Sequence, residues 1–451
     1  MNKRTFLKTS SALVGGTVLS KLTGCTSASE PLSNWAGNLQ YSTSNVYYPE
    51  NVSQVQDYVK RFDKMRPLGS RHSFNTIADS KENQISTKAL NKIVSLDKAK
   101  SSVTIEPGIK YGELCQYLDE NGFALHNMAS LPHISVGGAC ATATHGSGIK
   151  NGNLSTGVSA IEFINASGEL ITLSKNDGES FYGAVVNLGA LGIVTRLTLD
   201  LLPSFKMQQI VYRNLPMEEL RNNFEAIMSS GYSVSLFTDW KNKNVNEVWI
   251  KSLVEEGSEA FHFSPEFYSA TLADKNMHPV EDQPAENCTD QMGVPGMWYE
   301  RLPHFKMGFT PSTGKELQAE YFVPFEHGYE AMMAVEKLHE KISPHLFISE
   351  IRTIAADRFW MSPCYAKDCV AIHTTWKQEW DTVNKLLPLM EEQLAPFQPR
   401  PHWAKLFTLT PSKLQSRIEK LNDFRDLVKQ HDPNGKFRND FLEQHLFGGN
   451  I

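Results

Sequence analysis

Three groups of residues in this chain have the types and spacing to do chemistry. The first is Gly69-Ser70-Arg71-His72-Ser73-Phe74-Asn75, which follows the short apolar piece Arg66 to Leu68. A glycine-led loop lets backbone approach a bound anion closely, and this one carries an imidazole, His72, among small polar neighbours. Alone, a loop histidine reads more readily as a surface residue than as a site. The second runs from Ser130-Leu131-Pro132-His133-Ile134 into Ser135-Val136-Gly137-Gly138-Ala139-Cys140-Ala141-Thr142-Ala143-Thr144-His145-Gly146-Ser147-Gly148. Side chains this small cannot build a core. The run is either a flexible linker or the cradle of a large flat cofactor whose phosphates pair with backbone N–H groups. Thr142, Thr144 and His145, spaced through an otherwise apolar run, favour the cradle. The third group is Glu350 with Arg352, His373 with Thr375, and Lys405. Residues two apart on a strand share a face. A Glu, an Arg, a His, a Thr and a Lys around one cavity are polar and mixed in charge, which suits a ligand with many hydroxyls. Taken singly, each pair reads as an ordinary ion pair on an exposed sheet face.

The elements that must position these groups follow from periodicity. An extended piece at 42–48 precedes an amphipathic helix around Val52 to Phe62, and Arg66 to Leu68 is a short strand. Ser102 to Ile105 alternates like a strand and Tyr111 to Glu120 has helical spacing. Strands at Ala160 to Asn165 and Glu169 to Leu173 flank the Ala166-Ser167-Gly168 turn, and Leu188 to Leu202 has the β-branched run of a buried strand. Composition shifts near Pro203. Beyond it lie strands at Ser233 to Asp239, Glu247 to Ser252, Glu320 to Pro324, Leu346 to Ile354 and Val370 to Trp376. Helices at His327 to Ile342 and Glu379 to Leu394 separate them, the pattern of an α+β domain with an antiparallel sheet. Residues 255–315, rich in Pro, Gly, Asn and His, are expected as long loops or a lid. Ile418 to Lys429 is a last helix, stopped by a turn at Asp432 to Phe437.

The 451 residues exceed what one hydrophobic core serves, so two or three domains are expected. With 41% hydrophobic and 21% charged residues the chain is neither disordered nor fibrous. A net charge of -6 gives no footprint for nucleic acid, and an acidic body suits a neutral or cationic small molecule. No apolar run approaches the ~18 residues of a membrane-spanning helix. The N-terminus has the grammar of an export signal: a basic segment through Lys8, an apolar stretch from Ser11 to Leu19, then small residues. Leu22-Thr23-Gly24-Cys25 resembles a lipoprotein cleavage box in which Cys25 is lipidated, and Lys3-Arg4-Thr5-Phe6-Leu7-Lys8 resembles the twin-arginine motif with Lys for the first Arg. A periplasmic or cell-envelope lipoprotein anchored at Cys25 is expected, attached to membrane only through that lipid. Of six cysteines, five would then remain, an odd number that indicates no disulfide framework; Cys364 and Cys369 are free to pair, and nothing requires it. No spacing suggests a metal site.

The first two motifs resemble the FAD-linked oxidases of vanillyl-alcohol-oxidase type, and within them the alditol (xylitol) oxidases related to aldonolactone oxidases. The likeness extends to Asn34-Trp35-Ala36-Gly37-Asn38, Asn127 to His133, Ser233 to Trp240, Arg301-Leu302-Pro303-His304-Phe305, Glu350-Ile351-Arg352-Thr353 and Arg400-Pro401-His402-Trp403-Ala404-Lys405, in order, covering about Asn34 to Phe447. It implies an α+β fold: a two-subdomain FAD-binding domain of the vanillyl-alcohol-oxidase (PCMH) type, and a substrate (cap) domain whose antiparallel sheet lies over the flavin. The divisions are then an export signal at 1–24, a tether at 25–35, the FAD-binding domain at 36–204, the cap at 205–417, and a C-terminal segment at 418–451 that returns to the FAD domain. It implies FAD bound covalently through His72, with no second cysteinyl link because Asn127 to Pro132 offers no Cys. The implied FAD contacts are Pro67, Leu68, Gly69, Ser70, Arg71, Ser73, Ser130, Ser135, Gly138, Ala139, Cys140, Ala141, Ile193 and His402. Ser130, Glu350, Arg352 and Thr375 are implied to hold substrate hydroxyls, with His373 and Lys405 beside the reacting carbon. The expected reaction is oxidation of an alditol to an aldose by hydride transfer to flavin, with O2 or another acceptor taking the electrons. The alternatives are a sugar-1,4-lactone oxidase or dehydrogenase of the same architecture and a non-catalytic sugar-binding lipoprotein.

Overall fold

The helix α1 (Val52–Arg61) forms because Val55 and Val59, one turn apart, are its buried face, and the Asn51 side chain caps it by accepting from the Gln54 N–H. The helix α2 (Tyr111–Glu120) buries Tyr111, Leu114, Cys115 and Leu118 at the same helical spacing. These helices belong to the computed structural model of the chain, which describes residues 32–254, 263–306 and 315–448. The leader, Cys25 and the tether as far as Pro31 lie outside the described residues.

Two small sheets come first. Parallel strands β1 (Arg66–Leu68) and β2 (Gln84–Ser86), with the two-residue strand Val46–Tyr47, pack under α1. Five antiparallel strands follow: β3 (Ile93–Asp97), β4 (Ser102–Ile105), β5 (Val158–Ile164), β6 (Leu170–Ser174) and β7 (Ile193–Asp200), in the order β3-β4-β7-β5-β6. In β7 burial alternates, with Ile193, Thr195, Leu197 and Leu199 inward. This strand begins later than the sequence suggests. Leu188, Gly189 and Gly192 have positive φ and form a turn first, and a Cβ on Gly192 would stand 2.1 Å from the Ile164 carbonyl oxygen. The small-residue run is no linker: Val136–Ala141 is a short helix, α3, buried on one side against the core.

The largest sheet has ten strands, built from residues 206–401. Its central order is β8 (Lys206–Pro216), β10 (Asn244–Leu253), β9 (Ser233–Thr238), β12 (Leu346–Ile354), β13 (Cys369–Lys377) and β11 (Glu316–Pro324), all antiparallel. Strand alternation gives it two chemically different faces. Leu317, Ala319, Tyr321 and Val323 of β11, Ile351 of β12, and Val370, Ile372 and Trp376 of β13 join one apolar cluster. The helices α4 (Leu220–Met228), α5 (Gly328–Glu336) and α6 (Trp380–Leu394) cover that face. The intervening residues point the other way, and they are the polar ones. Residues 263–306 are less irregular than their composition suggests. Ala270–Leu272 and Gly296–Met297 pair with β8, and Cys288 is buried. Residues 255–262 and 307–314 lie outside the described residues.

The chain returns at its C-terminus to the first sheets. The helix α7 (Leu421–His431) buries Phe424, Leu427 and Val428 in the core that holds Val103, Leu114 and Leu197. Lys436 donates to Val59 O and Phe62 O. Arg66, fully buried, donates to the carbonyls of Leu188 (2.8 Å), Gly189 (2.9 Å), Ile77 and Phe437 (2.6 Å), tying three distant segments together. Arg66→Met is therefore expected to cost ~3 kcal/mol or more, since four carbonyls lose a charged donor at once. Thermal unfolding read by tryptophan fluorescence checks this; an unchanged midpoint would refute it. Cys115, Cys140, Cys288, Cys364 and Cys369 are all free and buried. Among the described residues no helix is long and apolar enough to cross a membrane.

Candidate active site

The polar face of the large sheet and the loops of the first sheets enclose one cavity of about 770 Å3. That is toward the upper end of the ~300–1,000 Å3 of small-molecule and cofactor sites. One wall is loop and short helix: Pro67 to Phe74, Ala129, Ser130, Gly137 to Ala139, Ala141 and Leu188 to Gly189. The opposite wall is sheet: Gln318, Glu320, Glu350, Arg352, His373 and Thr375, with His402 and Lys405 at its border.

Register explains the sheet wall. Glu320 on β11 is paired with His373 on β13, which is paired with Glu350 on β12. Three ionisable side chains thus stand in one row across three strands. The neighbouring row places Gln318 beside Thr375. Glu320 is the hub. Its Oε1 accepts from Arg352 Nη2 at 2.6 Å and lies 3.2 Å from His145 Nε2; its Oε2 lies 3.4 Å from His373 Nδ1. Glu350 Oε1 is 2.7 Å from His304 Nε2 and 3.6 Å from Arg352 Nε. Arg352 Nη1 reaches Ser130 Oγ at 3.5 Å, bridging to the loop wall. His373 Nε2 is 3.1 Å from Thr375 Oγ1. Lys405 Nζ donates to Gln318 Oε1 and sits 4.8 Å from the centre of the Phe74 ring. His145, Glu320 and His402 bring ligand-type atoms within 4.8 Å of one another, but Arg352 already supplies the positive charge on that carboxylate.

The electrostatics follow from burial and these pairs. Burial opposes ionisation of Glu320 and Glu350, yet the Arg352 guanidinium and the adjacent imidazoles hold both carboxyls well below the usual range. Burial likewise works against the Arg352 charge, and the two carboxylates more than restore it. Burial, with Lys405 and Arg352 acting in the same sense, keeps His373 below its ordinary value despite Glu320, so the ring is neutral near pH 7. Lys405 is brought down to about 8, chiefly by burial.

On the loop wall, His72 Nδ1 is 3.1 Å from Ser70 Oγ, while Nε2 is buried without a partner. The ring stacks on Trp35, centroids 5.3 Å apart, and leans on His133 at 4.8 Å. Burial, then His133, lowers its pKa to about 3. Asn34 and Trp35, expected at the end of a tether, are thus part of the folded body; Asn34 donates to Ser73 O at 2.9 Å.

Three residues expected at the cofactor do not line the cavity. Ile193 is turned into the core with Val55 and Ile85 by strand alternation, and its neighbours Gly192 and Val194 line the wall instead. Cys140 is on the core side of α3, 3.8 Å from Tyr111 OH. Ser135 shapes the wall from behind: its Oγ accepts from Ser70 N–H (3.2 Å) while its own N–H donates to Ser70 Oγ (3.0 Å), locking the two loops together. The other expected residues, Pro67 to Ser73, Ser130, Gly138, Ala139, Ala141, Glu350, Arg352, His373, Thr375, His402 and Lys405, all line it. Sequence reasoning missed Glu320, Gln318, Trp35 and His304. The Glu316-x-Gln318-x-Glu320 alternation was the available signal for the first two.

Comparison with known proteins adds kinship to this geometry. Residues 43–174 match the family model of the FAD binding domain, and residues 309–445 match that of D-arabinono-1,4-lactone oxidase. The chain is 42% identical to the alditol oxidase of a Streptomyces species, over 93% of this chain and all of that protein. It is 26% identical to the L-gulono-1,4-lactone dehydrogenase of Mycobacterium tuberculosis, over 92% of this chain and 98% of that one. Among solved structures, cholesterol oxidase from B. sterolicum superposes with a TM-score of 0.75 at 15% identity, covering 92% of this chain and 96% of that one, a likeness of fold alone.

Proposed function

The chain belongs to the family of FAD-dependent oxidases that contains alditol oxidase, and from that premise we propose that it oxidises an alditol such as xylitol or sorbitol to the aldose, with O2 accepting the electrons to give hydrogen peroxide. The observation that carries the substrate class is the Glu320–His373–Glu350 row with Arg352 and Thr375, all facing one cavity. Charged donors and acceptors stand side by side there, which suits a polyol better than an apolar alcohol.

The cavity fits an FAD. Its loop wall is backbone and small side chains, and a Cβ on Gly69 would stand 2.9 Å from Ser135 Oγ and 3.6 Å from Gly138 Cα, so the two loops already touch. The partnerless Nε2 of His72 and the stacked Trp35 leave an imidazole held rigidly at that wall. On this reading Pro67 to Ser73, Gly138, Ala139, Ala141 and His402 hold the cofactor, and His72 is its covalent attachment. FAD, when bound, supplies a two-electron acceptor for a hydride.

The chain's own residues then have separable tasks. Glu350, Arg352, Thr375 and Ser130 bind and orient the hydroxyls. His373 Nδ1 lies 3.4 Å from the Glu320 carboxylate without a hydrogen bond, an approach that favours the proton on Nδ1, and Nε2, 3.1 Å from Thr375 Oγ1, is assigned to accept the proton of the reacting hydroxyl. Arg352 and Lys405 stabilise the negative charge that develops on that oxygen. The test is the visible absorption spectrum of the leaderless protein, without oxygen, before and after xylitol. A yellow protein that xylitol bleaches supports the reading; one that no alditol bleaches sinks it.

A second reading, oxidation of a sugar-1,4-lactone, is favoured by one finding: the lactone oxidase model matches residues 309–445, which carry most of the sheet wall. Aldonolactones in the same panel decide between the two. The proposal also keeps the chain as an exported lipoprotein anchored at Cys25, supported by the leader residues alone; mass spectrometry of the mature N-terminus tests it.

A further inference from the structure

Lys251 on β10 is 1% exposed, and nothing in the chemistry above uses it. Its Nζ donates to Leu302 O (2.5 Å), Pro303 O (3.1 Å) and His304 Nδ1 (3.2 Å). Three acceptors meet the three N–H groups of an ammonium, which itself can accept nothing. Toward an ammonium His304 Nδ1 can only accept, and Nε2, which faces the acceptor-only Glu350 carboxylate, carries the ring proton. That nitrogen is the one 2.7 Å from Glu350 Oε1. Phe237 and Trp249 stand edge-on to the His304 ring, with centroids 5.4 and 5.3 Å away, and wall it in with apolar surface. The polar contacts of the His304 ring are thereby a cation on one nitrogen and a carboxylate at the other.

We infer that Lys251 is a positioning residue for the oxidation: it fixes the tautomer of His304 that donates to Glu350, and so holds the Glu350 carboxylate ionised and aimed into the cavity. The inference rests on the alditol reading and adds to it a residue that never touches substrate. The charged and titratable groups around Lys251 are His304 and Arg301 from the segment 301–306, Glu350 and Arg352 from β12, and Cys288. Burial lowers Lys251 to about 7 and His304 to about 4, and the Lys251 charge is the second cause acting on His304. Removing that charge frees His304 Nδ1 to take a proton. The resulting imidazolium would neutralise Glu350, so the change should be visible as a titration and not only as lost stability.

The experiment is anaerobic stopped-flow reduction of the bound flavin by alditol, across pH, in Lys251→Met and His304→Asn holoenzymes, each with a thermal midpoint. For Lys251→Met the expected result is a limiting reduction rate about 10- to 100-fold lower, the range seen when the partner of a ligating group is lost. Its acid limb should move to higher pH. His304→Asn should slow reduction similarly but show no such limb, and adding Lys251→Met to it should change little further. A Lys251→Met enzyme with a lower thermal midpoint but an unchanged limiting rate and pH profile would overturn the inference. If Lys251→Met yields no holoenzyme, His304→Asn decides: a wild-type rate and profile overturns the inference as well. Failure of the alditol reading shows separately, as a wild-type enzyme that no alditol bleaches; the same variants are then run with the aldonolactone that does bleach it, and if none does, both fall.

Discussion

Arg352→Ala is expected to slow flavin reduction by alditol about 100- to 1,000-fold, the effect of losing one pre-placed donor to a developing oxyanion. The side chain does three things at once. Its Nη2 is 2.6 Å from Glu320, its Nε is 3.6 Å from Glu350, and its Nη1 reaches Ser130. Without it, two buried carboxylates lose the cation they share, and Glu320 keeps His145 and His373 as its neighbours. The guanidinium also helps to keep His373 neutral, so its loss should raise the pKa of that base. A base with a raised pKa is competent only at higher pH, so the acid limb of the rate should move upward, whereas a merely misplaced substrate would leave it in place. Arg352→Lys should fall between, because an ammonium cannot span two carboxylates as a planar guanidinium does. The yellow colour should persist in both variants, since Arg352 is on the sheet wall and not on the loop wall proposed to hold the cofactor. Stopped-flow reduction across pH checks all three statements; reduction within a few-fold of wild type in Arg352→Ala would remove Arg352 from the chemistry.

How much of this site was legible in the sequence depends on which physical signal wrote it. Period-two alternation marks Glu350 with Arg352 and His373 with Thr375 correctly, because both strands are covered by helices on one face and open to a cavity on the other. The same rule would have found Glu320, but the strand begins at Glu316, and reading it from Glu320 hides the polar alternation of Glu316, Gln318 and Glu320. The strand Lys206–Pro216 escaped notice although it is the longest in the large sheet, since its buried Gln208 and Gln209 interrupt the apolar pattern. Ile193 was carried over by position, while the pleat turns its side chain into the core and leaves Gly192 and Val194 on the cavity wall. Val136–Ala141 forms a helix despite two glycines, held by packing on its Cys140 side and not by propensity. His304 and Lys251 carry no local signal at all: their meaning lies in a contact across 53 residues of chain.

His72→Ala is expected to abolish flavin that survives acid precipitation, with a loss of attachment that is all or none. His72 lines the cavity, and the structure fixes the ring before any cofactor arrives. Trp35 stacks on one side, His133 leans against it, and Ser70 Oγ is 3.1 Å from Nδ1. Burial and the neighbouring His133 hold its pKa near 3, so the imidazole is neutral and nucleophilic throughout the physiological range. A neutral ring has a lone pair to give at its unprotonated nitrogen, whereas a protonated one has none. The alanine variant removes the ring but leaves the loop wall that surrounds it, including the Ser70–Ser135 lock. It should therefore still bind flavin reversibly, and the flavin should pass through a desalting column after acid or heat. Trp35→Ala separates the two tasks of the pocket. It keeps the imidazole but loosens its orientation, so it should attach flavin more slowly and not fail to attach it, as a time course of acid-stable fluorescence would record. Acid-stable flavin in His72→Ala would assign the linkage to another residue. Rapid, complete attachment in Trp35→Ala would show that the imidazole needs no stacking partner to react.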